Sequence, residues 1–237
     1  MSCDLVNWLT ELRQQIEKTN PQFGGLNFVG WPIPFFGDIR KAKVLTVGVN
    51  PSNSEFRSAE RWGEIKTDNQ WIQRLLNYFH EPEVASHEWF IPWEASLNLI
   101  GCSYDNRTAA HLDLSPRATE SMRKALRIRF CDMVSKDIRW FFDCLGFCPD
   151  AKLILTAGSM ILPNDNEHEL VSSYLANCAA KHSFTNNRNS RGTFLCSVDG
   201  RVRLPVKSFP CGPSADDKFK LIKDVFNCRK ALKEFLQ

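Results

Sequence analysis

The amino-acid sequence predicts an α/β fold, a three-layer sandwich with a mainly parallel central sheet. Two apolar runs carry most of that prediction. They are Val44-Leu45-Thr46-Val47-Gly48 and Lys152-Leu153-Ile154-Leu155-Thr156-Ala157-Gly158, each dominated by aliphatic residues and each ended by glycine. Short continuous runs of this kind read as strands covered on both faces, as parallel strands between helices are. Segments of helical periodicity alternate with them, which points to crossover connections. With 237 residues, 43% of them hydrophobic, the chain can bury one full core. Residues 1–237 therefore read as a single domain, with no internal repeat, low-complexity tract or linker.

Taken in order, Leu5, Leu9, Leu12 and Ile16 recur at helical spacing and predict an amphipathic helix over 3–18, ended by Asn20-Pro21. Residues 22–42, rich in Gly, Pro and aromatics, read as a loop that covers the core or walls a pocket. Trp71, Leu75, Leu76 and Phe79 set the inner face of a helix over 69–80. A polar loop holding Tyr104, Asp105, Asn106 and Arg107 separates segments 95–100 and 109–114. Ser115-Pro116 is expected to open a long helix, with Ser as N-cap and Pro in the first turn. Its inner stripe would be Met122, Leu126, Phe130, Met133, Ile138, Phe141 and Leu145, with Arg123, Lys124, Arg127, Lys136 and Arg139 on its other faces. A solvated helix face explains those charges better than a nucleic-acid contact does. After the strand at 152–158, residues 167–179 read as a helix. Thr193–Val198 and Arg201–Val206, joined through Asp199-Gly200, give a hairpin signal. A final helix is expected from Ala215 to Gln237, capped by Ser214, with Leu221, Val225, Cys228, Leu232 and Leu236 inward.

Composition removes several function classes. A net charge of +3 and a pI near 8.4 permit nucleic-acid binding without arguing for it. Nine cysteines are present, yet no Cys-x-x-Cys occurs and the closest pair is Cys144 and Cys148. Cys131, Cys144, Cys178 and Cys228 lie in apolar stretches, as buried reduced thiols of a cytoplasmic protein do. The start of the chain has neither a basic region nor a long apolar core, and no apolar stretch reaches membrane-spanning length, so neither a signal peptide nor a membrane partner is expected. Dinucleotide-binding, phosphate-loop, zincin and nucleophile-elbow motifs are all missing. The five histidines show no metal-ligand spacing, so no metal is expected.

Two short motifs narrow the field. Gly48-Val49-Asn50-Pro51-Ser52 follows the first predicted strand, at the strand end where open α/β sheets bind ligands. Phe209-Pro210-Cys211-Gly212-Pro213-Ser214-Ala215 follows the last. Together they resemble the two signature loops of the uracil-DNA glycosylase superfamily. The first is similar to the Gly-x-Asn-Pro water-positioning motif of its mismatch-specific and single-strand-selective branches. The second is similar to the His-Pro-Ser-Pro-Leu-Ser-Ala loop that enters the DNA minor groove, with Phe209 where the family usually carries His or Asn. Between them, His111-Leu112-Asp113-Leu114-Ser115-Pro116 corresponds to the segment whose Asn reads the flipped base, which places Asp113 in that role.

The resemblance implies a uracil-DNA glycosylase-like fold and a DNA partner. It implies hydrolysis of the bond between base and deoxyribose after the nucleotide is flipped out of the stack, with no cofactor. Asn50 would orient the attacking water. Backbone N–H groups near Val49 and in the 209–213 loop would stabilise the departing base. Phe56 either stacks on the base or belongs to the core. Ser52, Ser54, Gly212, Pro213 and Ser214 would meet the phosphates of the flipped nucleotide, and Arg188 and Arg191 in a polar 186–191 loop would follow the backbone. An ionised Asp113 only accepts hydrogen bonds, which suits the amino group of cytosine better than O4 of uracil. That favours the bacterial anti-phage branch, which excises hypermodified cytosines such as glucosylated hydroxymethylcytosine. Three alternatives stand beside it: repair of uracil or mismatched thymine, a module that binds a modified base without cutting, and a helix-capping role for Asp113.

Overall fold

The computed structural model describes residues 3–23, 31–52, 62, 65–81, 88–119, 127–157, 159–161, 168–170, 186–188, 194–198, 202–209, 218–234 and 236–237. Only the backbone is described at 3, 21–22, 127–130, 202–205, 208, 218 and in the strand segments between 159 and 198. The described residues form an α/β fold whose mixed, mainly parallel sheet core is flanked by helices.

Helix α1 (Cys3–Thr19) buries Leu5, Leu9, Leu12 and Ile16, the four positions that its periodicity selects. A 3₁₀ turn at Asn20–Phe23 ends it, where Pro21 has no N–H to continue the ladder. Helix α2 (Asp68–Asn77) starts where the Thr67 side chain accepts a hydrogen bond from the Gln70 N–H, and it buries Trp71, Ile72, Leu75 and Leu76. Helices α3 (Phe90–Asn98), α4 (Arg127–Leu145) and α5 (Lys218–Glu234) complete the described set. Helix α3 packs on α5, and Trp8 of α1 meets Trp140 of α4 at 6.2 Å between ring centres. Along α5, Leu221, Val225 and Leu232 are buried at the spacing expected of them.

The strands are β1 (Phe35–Phe36), β2 (Val44–Gly48), β3 (Ala109–Asp113), β4 (Leu153–Ala157), β5 (Ser159–Ile161), β6 (His168–Leu170), β7 (Asn186–Arg188), β8 (Phe194–Val198) and β9 (Val202–Phe209). One sheet runs in the order β1-β3-β2-β4-β9-β8-β7, and β5 and β6 form a separate antiparallel pair. Strands β3, β2, β4 and β9 are mutually parallel, while β1, β8 and β7 pair antiparallel to their neighbours. The parallel strands β2, β3 and β4 are buried along their whole length, which explains the mainly apolar character of β2 and β4, while β3 buries His111 and Asp113 as well. Cys102, Cys131, Cys144 and Cys148 are buried free thiols and Cys228 is a half-buried one, as expected; Cys178 lies outside the described residues.

Three local expectations are corrected. Ser115 does not cap a helix. Its hydroxyl donates to Asp137 Oδ2 at 2.7 Å, residues 116–118 carry no helical structure, and the described part of the long helix begins at Arg127. His168–Leu170 is strand rather than helix, because its backbone pairs with Ser159–Ile161; the rest of 171–179 lies outside the described residues. Asn186–Arg188 is strand rather than loop, paired with Phe194–Cys196. Tyr104 lies in the expected loop, with its ring buried against Phe79 at 4.2 Å between centres.

The helix start is displaced by Arg117. Its guanidinium is buried and makes a two-pronged ion pair with Asp137 of α4, Nε to Oδ2 at 2.8 Å and Nη2 to Oδ1 at 3.3 Å. The same group donates to Ile16 O and Thr19 Oγ1 of α1 and to Asn20 Oδ1, and it lies over the Phe23 ring. One side chain thus ties the 115–119 segment to two helices. Removing one partner of a buried pair strands the other charge, at a cost of about 3–5 kcal/mol. Arg117→Met is therefore predicted to lower stability by about that amount in urea unfolding. Combining it with Asp137→Leu should recover a large part of the loss, whereas two exposed charges would show no such coupling.

Candidate functional site

The sheet register brings the sequence motifs together. Gly48 pairs with Asp113, Ala157 pairs with Phe209, and Val47 pairs with Thr156, so the next rung sets Gly48 beside Ala157. Asp113, Gly48, Ala157 and Phe209 thus form one rung at the carboxyl ends of four adjacent parallel strands. Registered partners present their side chains to the same face. Three strand spacings separate Asp113 from Phe209, or about 14 Å. A crevice at this rim is where open α/β sheets hold ligands.

Gly48 determines what fits there. A Cβ at this position would stand 2.5 Å from Asp113 Oδ1 and 2.8 Å from His111 Nε2. Both side chains of β3 lean across the backbone of β2 through the space that glycine leaves. His111 Nε2 lies 3.5 Å from Asp113 Oδ1, and His111 Nδ1 lies 2.7 Å from Thr46 Oγ1. Thr46 Oγ1 is in turn 2.5 Å from the Tyr104 hydroxyl. Phe36 and Phe90 pack their rings around the imidazole, at 5.8 and 5.2 Å between centres. The result is a polar ladder inside an aromatic shell.

Asp113 ends that ladder. It is 3% exposed, its Oδ1 faces His111, and its Oδ2 accepts no hydrogen bond among the described residues. Burial is the largest influence on it and raises its pKa above the ordinary carboxylate range; the His111 contact works the other way. Asp113 lies in strand β3 rather than at a helix start, so the helix-capping reading of it falls.

Asn50 is fixed by three acceptors. Its Nδ2 donates to Arg117 O at 3.0 Å, Thr119 Oγ1 at 3.0 Å and Pro51 O at 3.2 Å. Two of these are backbone carbonyls, which only accept, so the position requires an amide and not a carboxylate. The amide oxygen is left without a donor among the described residues. Leu114 N and Ser115 N donate to Gly48 O and Val49 O, and Ser52 bridges Thr119, so both loops leave the sheet side by side. Arg117 anchors this arrangement from behind, with its carbonyl on Asn50 and its guanidinium on Asp137.

Among the expected residues, Asn50, Val49, Asp113 and Phe209 gather at the rim, and Ser52 lies exposed just beyond it. Phe209 is buried as part of the hydrophobic core. Arg188 ends the edge strand β7, two places beyond β9, where its partner Phe194 pairs with Val206, three residues back from Phe209. Phe56, Ser54, Gly212, Pro213, Ser214 and Arg191 lie outside the described residues. Sequence reading missed Thr46, Tyr104, His111, Arg117 and Thr119. A signal for part of this set was present, since Thr46-x-Gly48 and His111-x-Asp113 put non-apolar residues at alternate positions of buried strands, and hence on one face.

Among the described residues, no group of three or more His, Cys, Asp or Glu side chains gathers to hold a metal ion, and no helix is long and apolar enough to cross a membrane. No protein-family model matches the chain, and no curated protein matches it.

A buried acid whose pKa is raised on folding binds more protons in the native state than in the unfolded one. Stability then falls as pH climbs from about 4 through the raised value, and the penalty is full above it. Asp113→Asn removes that penalty. The variant is predicted to melt at or above the wild-type temperature at pH 7, with the advantage shrinking as pH falls toward 4, measured by thermal unfolding across pH. A capping or ion-paired aspartate would give the opposite sign.

Proposed function

We propose that this chain is a monofunctional DNA glycosylase of the uracil-DNA glycosylase type, acting on a flipped non-standard pyrimidine, with a modified cytosine as the favoured base. The observation that carries this reading is one buried acceptor without a partner among the described residues, Asp113 Oδ2, on the strand beside the loop in which the Asn50 amide is fixed through its Nδ2. Such an acceptor is completed by a donor such as an amino group, and a fixed amide offers its Oδ1 to a water molecule.

In this reading Asn50 Oδ1 accepts a hydrogen bond from water and turns its lone pair toward the sugar carbon. The C–N bond breaks as positive charge develops on the sugar and negative charge on the departing base. The water oxygen then bonds to that carbon and loses a proton to solvent. Positioning, not strong base catalysis, is what an amide supplies. Asp113 Oδ2 accepts from the exocyclic amino group of cytosine, whereas O4 of uracil would meet it lone pair to lone pair. Phe209 offers an apolar wall and no hydrogen bond, so stabilisation of the departing base falls to backbone N–H groups of the rim loops. That feature also supports the second reading, a module that binds a modified base and leaves it attached.

Alkaline cleavage of end-labelled DNA reports abasic sites and separates the two. Breaks at modified cytosine in preference to uracil are expected from the wild-type protein. Asn50→Ala should slow their formation by a factor of roughly 10² with DNA binding retained. Asn50→Asp should be no better, because a carboxylate in that place would face the carbonyls of Pro51 and Arg117. Binding without breaks on any DNA would leave the binding module; unchanged rates in both variants would remove Asn50 from the mechanism.

A further inference from the structure

The polar ladder behind Asp113 has a direction. Tyr104 is wholly buried, and burial pushes its pKa well above the ordinary phenol value, so its hydroxyl keeps its proton. The acceptor within reach is Thr46 Oγ1 at 2.5 Å. Thr46 therefore uses its own proton elsewhere, and two acceptors compete for it: Ala110 O at 3.4 Å and His111 Nδ1 at 2.7 Å. Donation to Nδ1 is the arrangement in which Thr46 spends its proton on the shorter contact, and it leaves the ring proton on Nε2, the atom that faces Asp113 Oδ1.

We propose that His111 is the positioning residue of the base-reading carboxylate. Thr46 and Tyr104 hold it in the Nε2–H form, its N–H keeps Asp113 Oδ1 turned toward the imidazole, and Oδ2 is left as the acceptor for the ligand. The imidazole touches no reacting atom; it acts through Asp113. This rests on the glycosylase reading only for what the ligand is, since the arrangement of the ladder stands by itself.

The surroundings leave this task to His111. Around the Asp113–His111 pair, among the described residues, Gly48 of β2 faces both side chains, while Thr46 of β2, Phe36 of β1 and Phe90 of α3 meet the imidazole. Tyr104 reaches the far end of the ladder, with Glu94 of α3 behind it, bound to the Ser103 hydroxyl and the Tyr104 N–H. Tyr104 turns its hydroxyl to Thr46, so among these groups the Nε2 edge of His111 is the one set against Asp113 Oδ1.

Thr46→Val keeps the side chain's size and removes its hydroxyl, and Thr46→Ser restores the hydroxyl. Long-range proton–nitrogen NMR of the imidazole reads the tautomer directly. The wild type and Thr46→Ser should show Nε2–H, and Thr46→Val should shift population to Nδ1–H, which turns the lone pair of Nε2 onto the carboxylate. In base release, the acid limb should then move up by about one pH unit in Thr46→Val, a loss of about tenfold at a pH on that limb, and return in Thr46→Ser. A merely structural Thr46 predicts instead a fall at every pH with the limb in place. Either that pattern or an Nδ1–H imidazole in the wild type overturns the proposal. If no DNA releases a base, the glycosylase reading falls, and the tautomer measurement still decides the role of His111.

Discussion

The space left by one missing side chain organises this site. Gly48 closes β2 where β2 and β3 run side by side, and the volume a Cβ would fill is occupied by Asp113 Oδ1 and His111 Nε2. Any larger residue would push the carboxylate and the imidazole off the face of the sheet, and with them the contact to Thr46. The glycine here answers a need for close approach, not for an unusual backbone angle. Its consequence is chemical: two titratable groups of one strand are packed against the backbone of the next, inside aromatic walls, with one carboxylate oxygen left over. A buried oxygen without a donor costs free energy of about 1–3 kcal/mol. A fold retains such an atom most readily where a ligand completes it.

The two acceptors of the rim are held by different means. Asp113 sits on a strand, so its place follows from the register of β3 on β2 and needs no loop. Asn50 sits past the strand end, and there the chain substitutes side-chain anchors for sheet hydrogen bonds. Its amide is gripped by the 117–119 segment, which in turn is held by the Arg117–Asp137 pair and by the carbonyl and side-chain oxygens of α1. Position at the rim is thereby coupled to the packing of α1 and α4, well away from the crevice. Such remote rigidity is what an amide needs if it is to orient a water molecule by geometry alone.

Much of the architecture was legible in the sequence because it rests on periodicity. Leu5, Leu9, Leu12 and Ile16 marked α1, and the runs at 44–48 and 153–157 marked buried parallel strands. The hairpin of β8 and β9 followed from the turn residues between them. Errors arose where a local signal lost to a distant partner. Ser115-Pro116 has the composition of a helix start, yet its hydroxyl serves Asp137, 22 residues on, and Arg117 is pulled inward by the same carboxylate. His168-Glu169-Leu170 carries no strong strand pattern and takes its conformation from pairing with Ser159–Ile161. At the site, the motif residues Asn50 and Asp113 could be named from sequence, but their supports could not. Tyr104 and Thr46 are 58 positions apart, and only the fold makes them neighbours.

The account as a whole claims that a water at Asn50 and an amino group at Asp113 meet across one flipped pyrimidine. Mass-spectrometric identification of the free base released from DNA tests this most directly, using duplexes that carry uracil, cytosine, hydroxymethylcytosine or its glucosylated form. The account predicts an intact modified cytosine base in solution, its amino group still attached, with uracil released far more slowly and ordinary cytosine retained. Release of uracil in preference to every cytosine, or of no base at all, would contradict it.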